Sequence, residues 1–179
     1  MQGYAAWLHG AVALVLTFVF GTLMEYVIHR LMHRSYFLGK RHARHHREGW
    51  GQGWLGEFRD YFVPSIPLTL LGFLVSTPVG IGMAVGVVTF TAVAAYSHEI
   101  QHEKPDLVFW MRQPVHYLHH KHHMWKDNFG ITVDWWDRLF GTYRQVEWRR
   151  EKPISQYGLR GYLSITWLAF HADNTQSKA

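Results

Sequence analysis

Two long stretches of the chain contain no charged residue, and they constrain its fold more than any other feature. The first covers residues 1–24 and lacks the basic start and small-residue cleavage site of a signal peptide. The second covers residues 61–98, and the turn signal STPVG at residues 76–80 divides it into two pieces. Each piece has about 18 residues, which as a helix is about 27 Å against a hydrocarbon core of about 30 Å. We therefore predict one membrane span followed by a hairpin of two spans. A soluble all-α protein with long core helices is the less favoured alternative, because such helices show a polar face.

The basic residues predict the orientation of these spans. All 18 Lys and Arg lie either between the first span and the hairpin or after the hairpin. By the positive-inside rule both basic segments are cytoplasmic. The sequence therefore predicts a multi-pass integral membrane protein with an outward amino terminus, three crossings and a cytoplasmic carboxyl terminus.

Composition narrows the chemistry that the chain can perform. It contains no cysteine, which excludes disulfides, thiolate nucleophiles, iron–sulfur clusters and cysteine-ligated zinc. Metal binding would have to use carboxylates or the 14 histidines. The formal net charge of +5 indicates an anionic partner such as phospholipid headgroups. A nucleic-acid-binding function is disfavoured, because the basic residues alternate with histidine pairs and apolar runs and form no recognised motif.

Histidines recur at helical spacing in four separate segments. The segments are HRLMH (29–33), HARHH (42–46), HEIQH (98–102) and HYLHHKHH (116–123). They contain five pairs separated by four residues, where chance predicts about one for this number of histidines. On a helix this spacing places both rings on one side, as metal chelation requires. The predicted topology also brings every segment to the same membrane face.

Structured metal ligation is the interpretation that this pattern favours over a solvated surface or a loose chelating tract. About ten clustered histidines exceed one coordination sphere and suggest two metals, and neutral imidazole suits iron, zinc, copper and nickel alike. A membrane setting suggests a lipid substrate, and an unactivated hydrocarbon favours iron with dioxygen over hydrolysis. His9 and His171 have no partner at helical spacing and are expected to be structural. Neither His122 nor His123 is counted as a certain ligand.

The same segments carry a resemblance to a known family. EYVIHRLMH, HARHH, HEIQH and HYLHH, followed by NFGITVDWWDRLFGTY (128–143), resemble the fatty acid hydroxylase/sterol desaturase superfamily of integral-membrane di-iron oxygenases. The similarity covers about residues 20–145, within what we predict to be a single membrane domain at 1–179. It implies an all-α fold, with about three transmembrane helices and a cytosolic, histidine-rich helical cap.

The resemblance also implies which residues hold the metals. Ten histidines match the family pattern: His29, His33, His42, His45, His46, His98, His102, His116, His119 and His120. It implies one iron on His29, His42, His45, His116 and His119, and the other on His33, His46, His98, His102 and His120. Glu25 and His123 are expected to hydrogen-bond to a metal-binding imidazole and orient it. For Glu25, a role as an acid at the membrane interface, without such a contact, is an equal alternative. Asp134 and Asp137 are expected to be structural.

The implied function is the O2-dependent hydroxylation or desaturation of an aliphatic lipid, fatty acyl or sterol-like. The chain has no haem-binding box, dinucleotide fingerprint or cluster-ligating cysteine, so a separate ferredoxin- or cytochrome-type donor is expected to supply electrons. The segment EWRREK (147–152) is a candidate surface for such a donor or for phospholipid. The alternative is a non-catalytic membrane metal-binding or metal-transport protein. Zinc is expected to be able to occupy the same imidazole sites in purified material.

Overall fold

The computed structural model describes residues 2–34, 36–49 and 51–168. Within them the chain is helical and contains no strand, which confirms the all-α prediction. The α-helices are α1 (Gln2–Met32), α2 (Tyr36–Glu48), α3 (Trp54–Val75), α4 (Thr77–Glu103), α5 (Val115–Lys121), α6 (Trp135–Leu139) and α7 (Gly158–Leu163). Short 3-10 turns occupy Pro105–Leu107 and Ile154–Gln156.

Three of these helices, α1, α3 and α4, are long and apolar enough to cross a membrane. This confirms the predicted number of spans. The hairpin turns at Ser76, whose Oγ accepts a hydrogen bond from the Val79 amide at 3.3 Å and so caps α4. Helix α3 begins at Trp54, before the uncharged run, so its first turns carry Glu57, Arg59 and Asp60. Helix α4 continues to Glu103 and therefore includes the whole HEIQH segment.

Helix α4 lies between α1 and α3, and each of those two helices packs along it rather than on the other. Its small residues permit a close approach to α1. A Cβ added to Gly82 would lie 2.0 Å from the Gly10 carbonyl oxygen, and one added to Gly86 would lie 2.6 Å from the Leu14 carbonyl oxygen. Glycine at four-residue spacing thus packs helices within the chain. The outer faces of α1 and α3 expose large apolar side chains, as lipid-facing helices do.

The remaining helices form a cap over the polar ends of α1 and α4. A buried cluster that includes Ile100, Leu107 and Val115 joins α4 to α5. The buried side chain of Gln101 fixes the cap further. Its Oε1 accepts from the His116 amide at 2.9 Å, and its Nε2 donates to the Ile131 carbonyl at 2.7 Å. Helix α5 and the following loop are therefore held directly above the ends of the spans.

Candidate metal centre

Four helices bring all ten of the family-pattern histidines to one place. The end of α1 contributes His29, and the turn after it contributes His33. Helix α2 contributes residues 42, 45 and 46, the end of α4 contributes 98 and 102, and α5 contributes 116, 119 and 120. Neighbouring ring centroids lie between 3.9 Å (His46–His120) and 6.3 Å (His116–His119) apart. The cluster sits where the apolar spans end, as the positions of the histidines in the sequence predict.

One set of five rings, called here the first histidine group, faces a common point. Its members are His29, His33, His42, His46 and His119. Four Nε2 atoms of this group converge. The Nε2 of His33 lies 2.8 Å from that of His42 and 2.9 Å from that of His119, and the Nε2 of His46 lies 2.9 Å from that of His42 and 3.2 Å from that of His119.

A second set of four, the second histidine group, lies beside it. Its members are His45, His98, His102 and His116, and their ligand atoms all lie within 4.8 Å of one another. The Nε2 atoms of His102 and His116 are 3.1 Å apart. His120 lies between the two groups, with its ring centroid 3.9 Å from that of His46 and 4.5 Å from that of His45.

This grouping differs from the division between two irons that the resemblance implied. His33 and His46 join the first group, whereas His45 and His116 join the second. The physical reason is the helical spacing itself. Residues four apart lie on one side of a helix, so His29 with His33, and His42 with His46, turn toward the same point. The geometric grouping keeps these two pairs together, whereas the implied division separates them.

The convergent nitrogens fit a metal better than a hydrogen-bonded network. A neutral imidazole nitrogen is either one N–H donor or one lone-pair acceptor, so at most two of the four close Nε2–Nε2 contacts can be hydrogen bonds. Buried ring nitrogens without a hydrogen-bond partner among the described residues include His29 Nε2, His116 Nδ1 and both nitrogens of His120. Two nitrogens each about 2.1 Å from one ion, at a right angle, lie about 3.0 Å apart. The observed separations of 2.8–3.2 Å match this value.

Two backbone carbonyls determine which nitrogen faces the centre of the first group. His29 Nδ1 lies 2.6 Å from the Phe129 carbonyl oxygen, and His119 Nδ1 lies 2.8 Å from that of Asp127. A carbonyl only accepts, so both Nδ1 atoms carry the proton and donate. The Nε2 lone pair of each ring is then available for a metal.

The loop that supplies these carbonyls is held by two buried carboxylates. Asp137 accepts from the amides of Phe129 at 2.8 Å and Gly130 at 2.7 Å. Glu25 accepts from the amides of Ile131 at 2.8 Å and Thr132 at 2.9 Å. Among the described contacts, Glu25 therefore bonds the loop rather than an imidazole. Burial raises the pKa of Asp137 to about 6.

Asp134, the other acid of the end motif, forms a salt bridge with Arg138 at 2.7 Å, as a structural role predicts. Two histidines of the opening HYLHHKHH segment are separate from the groups. His122 and His123 are both exposed, and His123 has a positive φ of 48°. His9 is exposed on α1, and His171 lies outside the described residues.

Burial lowers the pKa of the imidazoles in the cap. It brings the pKa of His33 and His119 to about 4 and that of His46 to about 3. The pKa of His42, His116 and His120 is lowered as well, first by burial and then by the neighbouring imidazoles. These rings are therefore neutral at pH 7, which is the state that binds a metal.

Carboxylates approach the second histidine group, and the sequence analysis did not identify them. His98 Nδ1 lies 3.4 Å from Glu57 Oε1 and 3.8 Å from Glu99 Oε1. Both carboxylates are buried. Glu99 lies inside the HEIQH segment, which could have drawn attention to it. Glu57 lies on α3, outside all four histidine segments. The one sequence feature that could have indicated a role for it is its position just before an apolar run.

A cavity of about 770 Å³ connects the membrane-depth part of the molecule to the cluster. Its lower walls, from α1, α3 and α4, are largely apolar: Phe20, Met24, Leu68, Val87 and Phe90. Its upper end is lined by His29, His42, His45, His98 and His116. Thr17 at the bottom precedes His29 by twelve residues of α1, which is about 18 Å of helix, or more than half of the hydrocarbon core.

The family model for fatty acid hydroxylases matches residues 14–142, so the chain belongs to the fatty acid hydroxylase family, within the fatty acid hydroxylase/sterol desaturase superfamily. No curated protein and no solved structure matches the chain. Membership implies a lipid hydroxylase or desaturase, and hence an oxidoreductase. The three apolar helices indicate a membrane protein, and the two histidine groups are compatible with metal binding.

Proposed function

We propose that the protein is a membrane-bound non-haem di-iron oxygenase that hydroxylates or desaturates an aliphatic lipid. The observation that carries this proposal is the cavity, which joins apolar walls at membrane depth to the histidine cluster. A metal-transport protein would instead need ionisable groups along its path through the membrane. The lower walls of this cavity are mostly apolar, which favours an alkyl chain as its occupant.

The ten histidines would hold two iron ions. The first histidine group would bind one ion, the second group would bind the other, and His120 would lie between them. Two bound iron ions would activate dioxygen, so that one oxygen atom enters an aliphatic C–H bond and the other leaves as water after taking up two electrons and two protons. In desaturation, dioxygen would instead take two hydrogen atoms from the lipid together with two electrons from the donor and two protons, and both oxygen atoms would leave as water.

The chain's own residues would orient the ligands and position the substrate. The carbonyls of Asp127 and Phe129 would keep the protons on Nδ1 of His119 and His29. The walls between α1 and α3 would hold the alkyl chain with one carbon next to the cluster and would exclude water from it. The salt bridge between Arg41 and Asp60, at the polar side of the cavity, would contact the more polar end of the lipid.

The whole chain would form one membrane domain, with the cluster on the cytoplasmic side. This orientation follows from the basic segments, which flank the cluster in sequence. Reporter tags near Gly49 should then be cytoplasmic, and tags near Pro78 should not. A cytoplasmic Pro78 would contradict the three-span topology. Electrons would come from a separate donor protein.

The direct test uses iron-loaded protein in lipid nanodiscs with a chemical reductant, isotopically labelled dioxygen and a mixed lipid extract. A lipid product that gains one labelled oxygen atom or loses two hydrogen atoms, detected by mass spectrometry, is the expected result. Protein that holds two iron ions per chain but consumes no dioxygen with any lipid in the extract would contradict the proposal.

A matched pair of variants tests the substrate cavity. Leu68 lines the cavity, whereas Leu70, two residues later on α3, is 61% exposed on the outer surface. Leu68→Trp should lower turnover by roughly tenfold or more by filling the chain-binding space. Leu70→Trp should change it by less than about twofold, because surface substitutions are usually tolerated. Equal effects would mean that the cavity does not bind the substrate.

A further inference from the structure

An exposed tryptophan lies directly against the metal centre. The side chain of Trp125 is 56% exposed. Its ring centroid is nevertheless 5.1 Å from that of His33 and 5.6 Å from that of His46, with which it is stacked at 22°. Trp125 therefore offers a large aromatic surface to the outside while touching two rings of the first histidine group. Tryptophan is enriched among the residues that contribute most of the binding energy at protein interfaces.

Cations surround this position in the chain. Arg34 follows His33, Arg47 follows His46, and Lys121 and Lys126 flank the loop that carries Trp125; all four are exposed. None of the four forms a salt bridge to another residue that the structure describes. Asp127 is already paired with Arg144 at 3.7 Å. Among the described sequence neighbours of these four cations, Glu48 is the one exposed acid, so positive charge predominates. We call Arg34, Arg47, Lys121, Trp125 and Lys126 the Trp125 surface.

The position of the indole places this surface on the side of the cap that points away from the bilayer. His33 lies four residues beyond His29, in the turn just after α1, and therefore beyond the polar end of the span. His46 belongs to α2, which is outside the three spans. Because Trp125 contacts these two rings, a water-soluble partner can reach it. Lipid headgroups are the less favoured occupant for the same reason.

We propose that the Trp125 surface is the docking site for an acidic, one-electron carrier protein. The proposal rests on the di-iron function proposed above, which requires electrons from outside the chain. Positive charge steers an acidic carrier to this face, and the indole provides a central apolar contact. Electron transfer weakens steeply with distance, so docking over His33 and His46 shortens the path to the first histidine group.

Each docking event passes one electron. The carrier would be oxidised by one electron, and iron held by the two histidine groups would take up that electron, passing from the ferric to the ferrous state. Two such events supply the two electrons of one turnover, and the two protons come from water. The carrier belongs to the class of acidic [2Fe–2S] ferredoxins or acidic haem cytochromes, whose reduced forms donate single electrons.

Binding of a carrier can be measured without turnover. Because the chain has no cysteine, His122→Cys places one fluorescent label beside Lys121, and Ser155→Cys places the same label on the exposed 3-10 turn at Ile154–Gln156. The probes are an acidic [2Fe–2S] ferredoxin and an acidic haem cytochrome, with a basic cytochrome as the charge control. Both acidic probes should quench the label at 122 more than the label at 155, and added salt should weaken binding.

Charge reversal then locates the surface. Lys121→Glu with Lys126→Glu should raise the dissociation constant of the acidic carriers roughly tenfold or more, and Trp125→Ala should have a similar effect. The matched control is Arg149→Glu with Lys152→Glu, on the other basic segment, which should change binding by less than about threefold. Turnover with a small chemical reductant should be unchanged in both double charge-reversal variants.

Three outcomes would overturn the docking site. In the first, neither acidic carrier binds, although the protein turns over with a chemical reductant. In the second, the Arg149 and Lys152 pair weakens carrier binding and the Trp125 surface does not. In the third, the charge reversals weaken the binding of the nanodisc-embedded protein to anionic lipid vesicles but leave carrier binding unchanged. Carrier binding at this surface by a protein that consumes no dioxygen would instead contradict the proposed function alone.

Discussion

Peptide carbonyls orient the first histidine group, whereas carboxylates contact the second. In the first group, the Nδ1 atoms of His29 and His119 donate to carbonyls of one loop. In the second, the Nδ1 of His98 faces Glu57 and Glu99. A carboxylate makes an imidazole a stronger donor to a metal than a neutral carbonyl does. Two metals held by similar rings would therefore have different affinities and reduction potentials.

The two arrangements also differ in how they are supported. The carbonyls depend on a loop that Asp137 and Glu25 hold by its amides. The carboxylates lie on the membrane helices α3 and α4, whose packing on each other fixes them. The first group is thus sensitive to changes in the cap, and the second to changes in the hairpin. The following predictions test this difference in order of decreasing effect.

Removing one ligand from each group should give the largest effect. His119→Ala and His116→Ala should each lower the metal content from about two ions per chain to about one, and turnover should fall by more than roughly 100-fold, beyond the effect of losing an outer hydrogen bond. Elemental analysis of folded, chelator-free protein measures this. If either variant lost both ions, the two groups would form a single site. The difference between a carbonyl-oriented group and a carboxylate-contacted group would then not hold.

Asp137→Asn should alter the dependence of stability on pH. Its pKa of about 6 in the folded state exceeds the ordinary value of 3.8, so the folded state binds the proton more tightly than the unfolded state does. The protonation of this carboxyl therefore adds up to about 3 kcal/mol to the free energy of unfolding below about pH 4. This contribution is lost as the pH rises through 6.

Thermal unfolding of wild type and Asp137→Asn between pH 4 and pH 7 measures the pH-dependent contribution of this carboxyl to stability. The stability difference between the two proteins should change with pH in that window, while Asp134→Asn, which removes only a surface salt bridge, should give a nearly constant difference. A pH-independent difference for Asp137→Asn would show that its carboxyl does not titrate as stated. The variant should also weaken the first histidine group more than the second.

Glu57→Gln should weaken the second group selectively. The substitution keeps the shape of the side chain but replaces the anionic oxygen that faces His98 Nδ1. Metal affinity of the second group should fall by roughly 10- to 100-fold, and that of the first should be unchanged. Titration with a competing chelator resolves the two affinities. Glu103→Gln, at the exposed end of α4, is the control; equal weakening of both groups would refute the selective role of Glu57.

Substitutions of His122 and His123, in the turn that follows α5, should give the smallest effects. His123→Ala should lower turnover only about two- to threefold, because this residue occupies a left-handed conformation in the turn and is not a member of either group. His122→Ala should be indistinguishable from wild type. A large, equal loss at both positions, matching that of His119→Ala, would indicate a loose chelating tract in place of two ordered groups.

The sequence by itself determined the features that depend on local pattern. Uncharged runs predicted three spans and the turn near Ser76, because burial in lipid acts on each segment separately. Histidine spacing predicted that rings such as His29 and His33 share a helix face, which is a property of the helix alone. Motif order predicted the family that the match over residues 14–142 confirms.

Only the tertiary structure decided how the histidines are divided and what stands behind them. The carbonyl that orients His29 belongs to Phe129, 100 residues away, and His33 meets His119 across 86 residues. Glu57 approaches His98 because α3 and α4 fold back on each other, and no local pattern records that pairing. These contacts depend on how four helices and a loop pack together, and packing between distant segments is not encoded in the spacing of any one of them.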